Sequence, residues 1–235
     1  MNGTFAKKNS LSIKLGFWSA FLFTAMGVGY LIGLGTTFSV FSMPSWTDIN
    51  SYASFIKSLP GMFYTLCQIT AFLVGPPFIL LMCSIYDFAQ TEKKILARIA
   101  ICFGIIFVVL MSMCYFVQLT VIPQNVHSGN LGGLDQFVEL NAKSFIASMV
   151  VLGYSLFLGF ASLFIAPVFF QNRLEKAIRV AFIIGGVFSI LELVGCIFPK
   201  MVMLAMAFTG IANISLIIAG VLLCILFRKV SRKST

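Results

Sequence analysis

The sequence predicts an all-α polytopic integral membrane protein: one domain of six transmembrane helices with a short external interfacial helix. Three observations carry that prediction. Apolar residues make up 60% of the chain against 10% charged, at a mean hydropathy of +1.03. A single soluble core cannot hide that much apolar surface, so lipid must be part of the solvent. Six apolar runs, at about 15–36, 61–85, 99–121, 144–170, 178–198 and 201–227, reach the roughly 20 residues that crossing the hydrocarbon core requires. Finally, the runs are apolar all round rather than alternating, which excludes a transmembrane barrel.

Charge gives an expected orientation. Lys7, Lys8, Lys14, Lys93, Lys94, Arg98, Arg173, Lys176, Arg179, Arg228, Lys229, Arg232 and Lys233 fall on one side of the spans, and Lys57, Lys143 and Lys200 on the other. Short translocated loops are poor in positive charge, so both termini are expected in the cytoplasm and the chain in the cell membrane. The net charge of +9 then reflects topology and attraction to membrane lipid, with no nucleic-acid partner.

The first span carries Gly29 and Gly33 one helical turn apart, which predicts close approach of another helix. That helix belongs to the same chain or, alternatively, to a homo-oligomer. Pro44 stops the span, and Ser45-Trp46-Thr47-Asp48 matches a capping box opening a helix over 45–59. Trp46, Ile49, Tyr52 and Leu59 recur there at helical spacing with polar residues opposite, as in a helix lying in the membrane interface. In the second span, Gly75-Pro76-Pro77 removes backbone donors and predicts a kink.

The segments 98–107 and 179–188 share Arg, Ala, Gly and Phe at the same offsets, as parallel repeats or as a common need for an arginine anchor and a small residue at one depth. The stretch from Val121 to Lys143 reads as a loop followed by a short helix, and it contains the acids Asp135 and Glu139 and the lone His127. The fifth and sixth spans meet at Pro199-Lys200 with almost no loop, which makes them antiparallel neighbours.

The cysteines all fall within spans, without CxxC spacing or accompanying histidines, and read as packing residues. No metal or other cofactor is expected. Proteolytic, phosphate-binding and zinc motifs are missing as well.

What remains is Glu192, six residues before Phe198 and therefore about 9 Å inside its helix end. A carboxylate at that depth is costly unless it is neutral, paired or hydrated, so it marks a candidate site. Laid side by side, the spans bring Tyr64 and Gln68 from the second helix, and Tyr115 and Gln118 from the third, to the same level. These five residues are expected to line a ligand-binding cavity in the outer half of the bundle. Tyr154, Ser155 and Asn213 form a thinner polar path below it.

Three readings follow: a site that binds or transports a small molecule or cation, an assembly subunit whose Glu192 pairs with a partner transmembrane helix, or a lipid-modifying enzyme that uses Glu192 as acid or base.

Overall fold

The computed structural model describes residues 10–39 and 46–233; Lys7, Lys8, Pro44 and Ser45 lie outside them. The chain is an all-helical, multi-pass membrane protein, with six helices among the described residues long and apolar enough to cross a bilayer. The first span is α1 (Ser10–Ser39). After it, α2 (Ile49–Ile56) leads into α3 (Leu59–Leu73) and α4 (Gly75–Phe88), the two halves of the second span. The third is α5 (Lys94–Leu119), continued by α6 (Val121–Ser128). The fourth consists of α7 (Phe145–Val151), a π-helical stretch (Leu152–Leu158) and α8 (Gly159–Ile165). The last two are α9 (Arg173–Ile197) and α10 (Val202–Lys233).

The spans close into a ring in chain order. Each packs on the next, and α10 returns to α1. One end carries α2 and the segment 121–144 and is termed here the loop face; the other, where α9 begins and α10 ends, is the basic face.

Local chemistry explains where these elements start and break. Asp48 caps α2: its carboxylate accepts from the backbone N–H groups of Asn50 and Ser51. A serine then starts α3, with Ser58 accepting from Gly61 N–H. The interfacial helix is therefore shorter than 45–59, and it is also more deeply seated. Tyr52 and Phe55 are buried in a satellite core with Tyr64, Ile122 and Val126. At Gly75-Pro76-Pro77 the helical hydrogen bonding is interrupted at Val74, whose backbone stays in the right-handed helical region, because the prolines offer no N–H to the turn before them.

The 121–144 segment opens with a helix that the sequence does not announce, and the expected loop and short helix follow it. The helix α6 ends on left-handed Gly129 (φ 75°), and the chain turns again at Gly133 (φ 72°), which leads into one 3-10 turn, Leu134–Phe137. Glycine adopts positive φ without steric cost, so these two positions redirect the chain back over the ring. A single turn at Pro199–Met201 joins the antiparallel α9 and α10.

Small residues hold the ring tight where it is tight. A Cβ placed on Gly186 would stand 2.8 Å from the carbonyl oxygen of Gly159, and one on Gly195 would stand 2.6 Å from the Ala205 methyl. Such backbone-to-backbone approach is how helices associate when lipid is as apolar as their side chains. The repeated segments occupy unlike surroundings: Gly104 faces Phe78 on the preceding span, whereas Gly185 faces Leu216 on the following one.

The cysteines divide. Cys67 and Cys114 are buried, but Cys83, Cys102 and Cys196 face outward instead of packing. At the basic face the ring is filled by phenylalanines: Phe169 stacks between Phe88 and Phe182 at 6.1 and 5.9 Å, and Phe227 meets Phe88 edge-on at 6.2 Å.

A candidate ligand cavity

Above that aromatic fill the ring encloses a cavity of about 360 Å³, within the usual range for small-molecule sites. Phe23 and Phe107 form its floor, with Phe78 wedged beneath them at 5.6 and 5.3 Å. Most of the wall is apolar. Its polar groups are Tyr30, Tyr115, Tyr154, Thr70, Thr209 and Asn213, together with two carboxylates, Glu192 and Glu139.

The π-helical stretch shapes one side. Widening the helix by one residue per turn at 152–158 changes the direction of its side chains, and it brings Tyr154 onto the wall with its ring 5.2 Å from Phe107. Ser155, in the same stretch, is fully buried beside Glu192 without an ordinary hydrogen bond. Thr209 lies on the other side of Glu192 and donates to the carbonyl of Ala205 at 2.9 Å.

Glu139 is the residue that sequence reasoning passed over. It belongs to the returning segment after Gly133, but its carboxylate reaches down between the helices. Tyr115 donates to Oε1 at 3.0 Å and Tyr64 to Oε2 at 3.3 Å. The Gln68 amide stands close by, yet its Nε2 makes no hydrogen bond of ordinary geometry.

Gln118 does not touch the carboxylate. It grips the backbone on either side, donating to the Phe137 carbonyl and accepting from the Glu139 N–H at 3.2 Å. A primary amide is in effect a detached peptide group, so Gln118 pairs with the main chain on both sides of Val138, whose backbone is extended. Val138, between the two bonds, is completely buried, and Ser144 completes the anchor by donating to its carbonyl at 2.8 Å.

Burial raises the Glu139 carboxyl above its ordinary value of 4.5, while the phenols of Tyr115 and Tyr64 and the nearby Gln68 amide partly offset this. Burial, and to a lesser degree Glu139 itself, pushes the Tyr52 phenol up, so that group stays neutral.

Of the residues expected to surround Glu192, the structure places Tyr115 on the cavity wall, with Tyr154 and Asn213 from the deeper path. Tyr64 and Gln68 stand behind Glu139, and Gln118 serves as the fastener of the loop. The signal for Glu139 was present in Phe137-Val138-Glu139-Leu140, a strongly apolar neighbourhood for an acid in an external loop. His127 has a local role, with Nδ1 at 2.7 Å from the Pro123 carbonyl in the last turn of α6.

Comparison with known families, with curated proteins and with solved structures returns no match to this chain.

Proposed function

We propose that this protein binds a small organic cation in the cavity and moves it across the membrane. One observation carries the reading: two carboxylates, Glu139 and Glu192, lie on the wall of a single cavity, and among the described residues no lysine, arginine or histidine lies there with them. An intramembrane acid without a protein cation beside it is stabilised either by a proton or by a positively charged ligand. Exchange of the two would couple ligand movement to protons. The tyrosine rings add faces on which a cation is attracted, and the aliphatic remainder of the wall suits an apolar ligand body.

The assembly reading has less support, because Glu192 is only 9% exposed and lines the cavity, so a helix outside the bundle would meet little of it. In the proposed arrangement the loop face is external and the basic face cytoplasmic, in keeping with the lysines and arginines that crowd the latter.

The test is ligand-induced thermal shift and uptake in reconstituted vesicles. A panel of alkyl and aryl ammonium ions should stabilise the wild type, whereas neutral and anionic analogues of the same shape should not. Glu192→Gln should reduce the apparent affinity at least tenfold with the melting profile of the empty protein intact. Equal responses to cations and their neutral analogues would defeat the proposal.

A further inference from the structure

The route into the cavity can be read from how α1 and α10 meet. Near the basic face they are locked together. A Cβ on Gly16 would stand 2.7 Å from the Phe227 ring, and one on Gly220 would collide with the Thr24 hydroxyl. Midway the contact is ordinary, with the Gly27 position 3.5 Å from Ile217. Ten residues before Gly220 on α10, about 15 Å nearer the loop face, a Cβ on Gly210 would find nothing within 4 Å among the described residues.

The two helices therefore diverge towards the loop face, and the cause lies in their other neighbours. The upper part of α1 leans on α3, where Gly33 sits against the Cys67 thiol. The start of α10 is held to α9 by Gly195 against Ala205 and by Phe188 against Phe208 at 5.4 Å.

The gap opens on the cavity. Leu31 and Leu34 from α1, and Met206 and Gly210 from α10, belong to its wall, and yet Met206 is 66% exposed on the outside of the bundle. Around the opening the outward side chains are Ile32, Met203 and Ile214, at 64%, 81% and 57% exposure, so the surroundings are hydrocarbon rather than water. The other two ways in are obstructed. Phenylalanines fill the ring at the basic face, and the Gln118-fastened segment with Glu139 lies across the loop face.

We propose that the gap between the loop-face halves of α1 and α10 is a lateral portal through which an amphiphilic organic cation, an ammonium head on an apolar body, enters the cavity from the membrane. The inference rests on the reading of the cavity as a cation site and adds the ligand class and its path. A lipid-dissolved amphiphile concentrates where the portal opens. Its head then moves towards Glu192, which Thr209, the neighbour of Gly210, already approaches, while its body replaces hydrocarbon contacts with the apolar wall.

The experiment uses the full chain in lipid nanodiscs and two probes with the same head group, octyltrimethylammonium and tetramethylammonium. Gly210→Phe narrows the portal; it should slow octyltrimethylammonium association at least tenfold, with the thermal melt and gel-filtration profile of the wild type. An unchanged rate in a folded Gly210→Phe protein overturns the portal. If that variant does not fold, Met206→Trp takes its place under the same criterion.

Gln118→Ala, which loosens the loop face, should speed access for tetramethylammonium only. Equal acceleration of both probes would place the amphiphile's path at the loop face and also overturn the portal. Glu192→Gln separates the two ideas. It should weaken equilibrium binding of both probes at least tenfold, and a variant with wild-type affinity for both would remove the cation site and the portal proposal with it.

Discussion

Tyr115 and Gln118 lie three residues apart on one face of α5, and both act on Glu139: the phenol donates to its carboxylate at 3.0 Å, and the amide holds the backbone that carries it. One helix thus holds both the side chain and the main chain of this loop residue, and Tyr64 of α3 adds a second donor to the carboxylate. This makes the returning segment part of the bundle rather than a free connection.

Gln118→Ala should therefore release residues 137–139 without unfolding the spans. Two backbone groups beside a buried valine lose their partners, a cost of about 1–3 kcal/mol for each group left unsatisfied. Hydrogen exchange is the direct measurement. The Glu139 amide should exchange faster by several orders of magnitude, while amides in the middle of α5 keep their protection.

The raised Glu139 carboxyl makes stability depend on pH in a definite direction. Below the ordinary value of 4.5 the group is protonated both folded and unfolded, and its burial is free of charge cost. As pH climbs through the higher folded value the unfolded chain releases its proton first, so folding loses this contribution. The facing groups, Tyr30, Tyr52, Tyr64, Tyr115 and Tyr154, are phenols that stay neutral over this range. As pH rises above 4.5, melting temperatures should fall more steeply for the wild type than for Glu139→Gln, and parallel curves would contradict the assignment.

The two glycines of the first span should respond differently. A Cβ at Gly33 runs into the Cys67 thiol, whereas one at Gly29 stands at an ordinary 4.0 Å from the Thr70 methyl. Gly33→Leu overpacks the seam and should cost about 1–3 kcal/mol in detergent unfolding. Gly29→Ala should be neutral or slightly stabilising, by up to about 1 kcal/mol, since alanine favours the helix.

At the basic face, Asn172 and Glu175 cap α9 reciprocally. Asn172 accepts from the Glu175 N–H at 3.1 Å, and the Glu175 carboxylate accepts from the backbone N–H groups of Phe170 and Gln171 at 3.1 and 2.9 Å. Glu175→Ala leaves those donors unsatisfied and should lower stability by about 0.5–2 kcal/mol, in the range of a lost helix cap. Differential unfolding against Glu92→Ala, an exposed acid in the loop between the second and third spans, is the appropriate comparison.

Orientation is tested by reporters. Alkaline phosphatase inserted at 129–133 should be active, and the same enzyme fused after Lys233 should be silent. The reverse pattern would invert the assignment and place the loop face on the cytoplasmic side.

The sequence by itself determined the architecture and one half of the candidate site. Crossing a bilayer is a local property, a matter of run length and the absence of charge, so six spans, the interruption before Pro76-Pro77 and the distance of Glu192 from its helix end can be read directly from consecutive residues. The tertiary structure decided the rest, because it depends on which distant groups meet. Whether an acid in a loop is solvated or buried is settled by the partners it finds, and for Glu139 these are Tyr64, 75 positions earlier, and Gln118, 21 positions earlier. No pattern in the neighbourhood of Glu139 specifies those separations.

The gap between α1 and α10 is of the same kind. Each helix follows the neighbour that lets its backbone come closest, α1 towards Cys67 and α10 towards Gly195. The opening between them is what remains when a ring of helices satisfies those two contacts at once, and close packing of this sort is a property of the assembled helices that a linear sequence does not display.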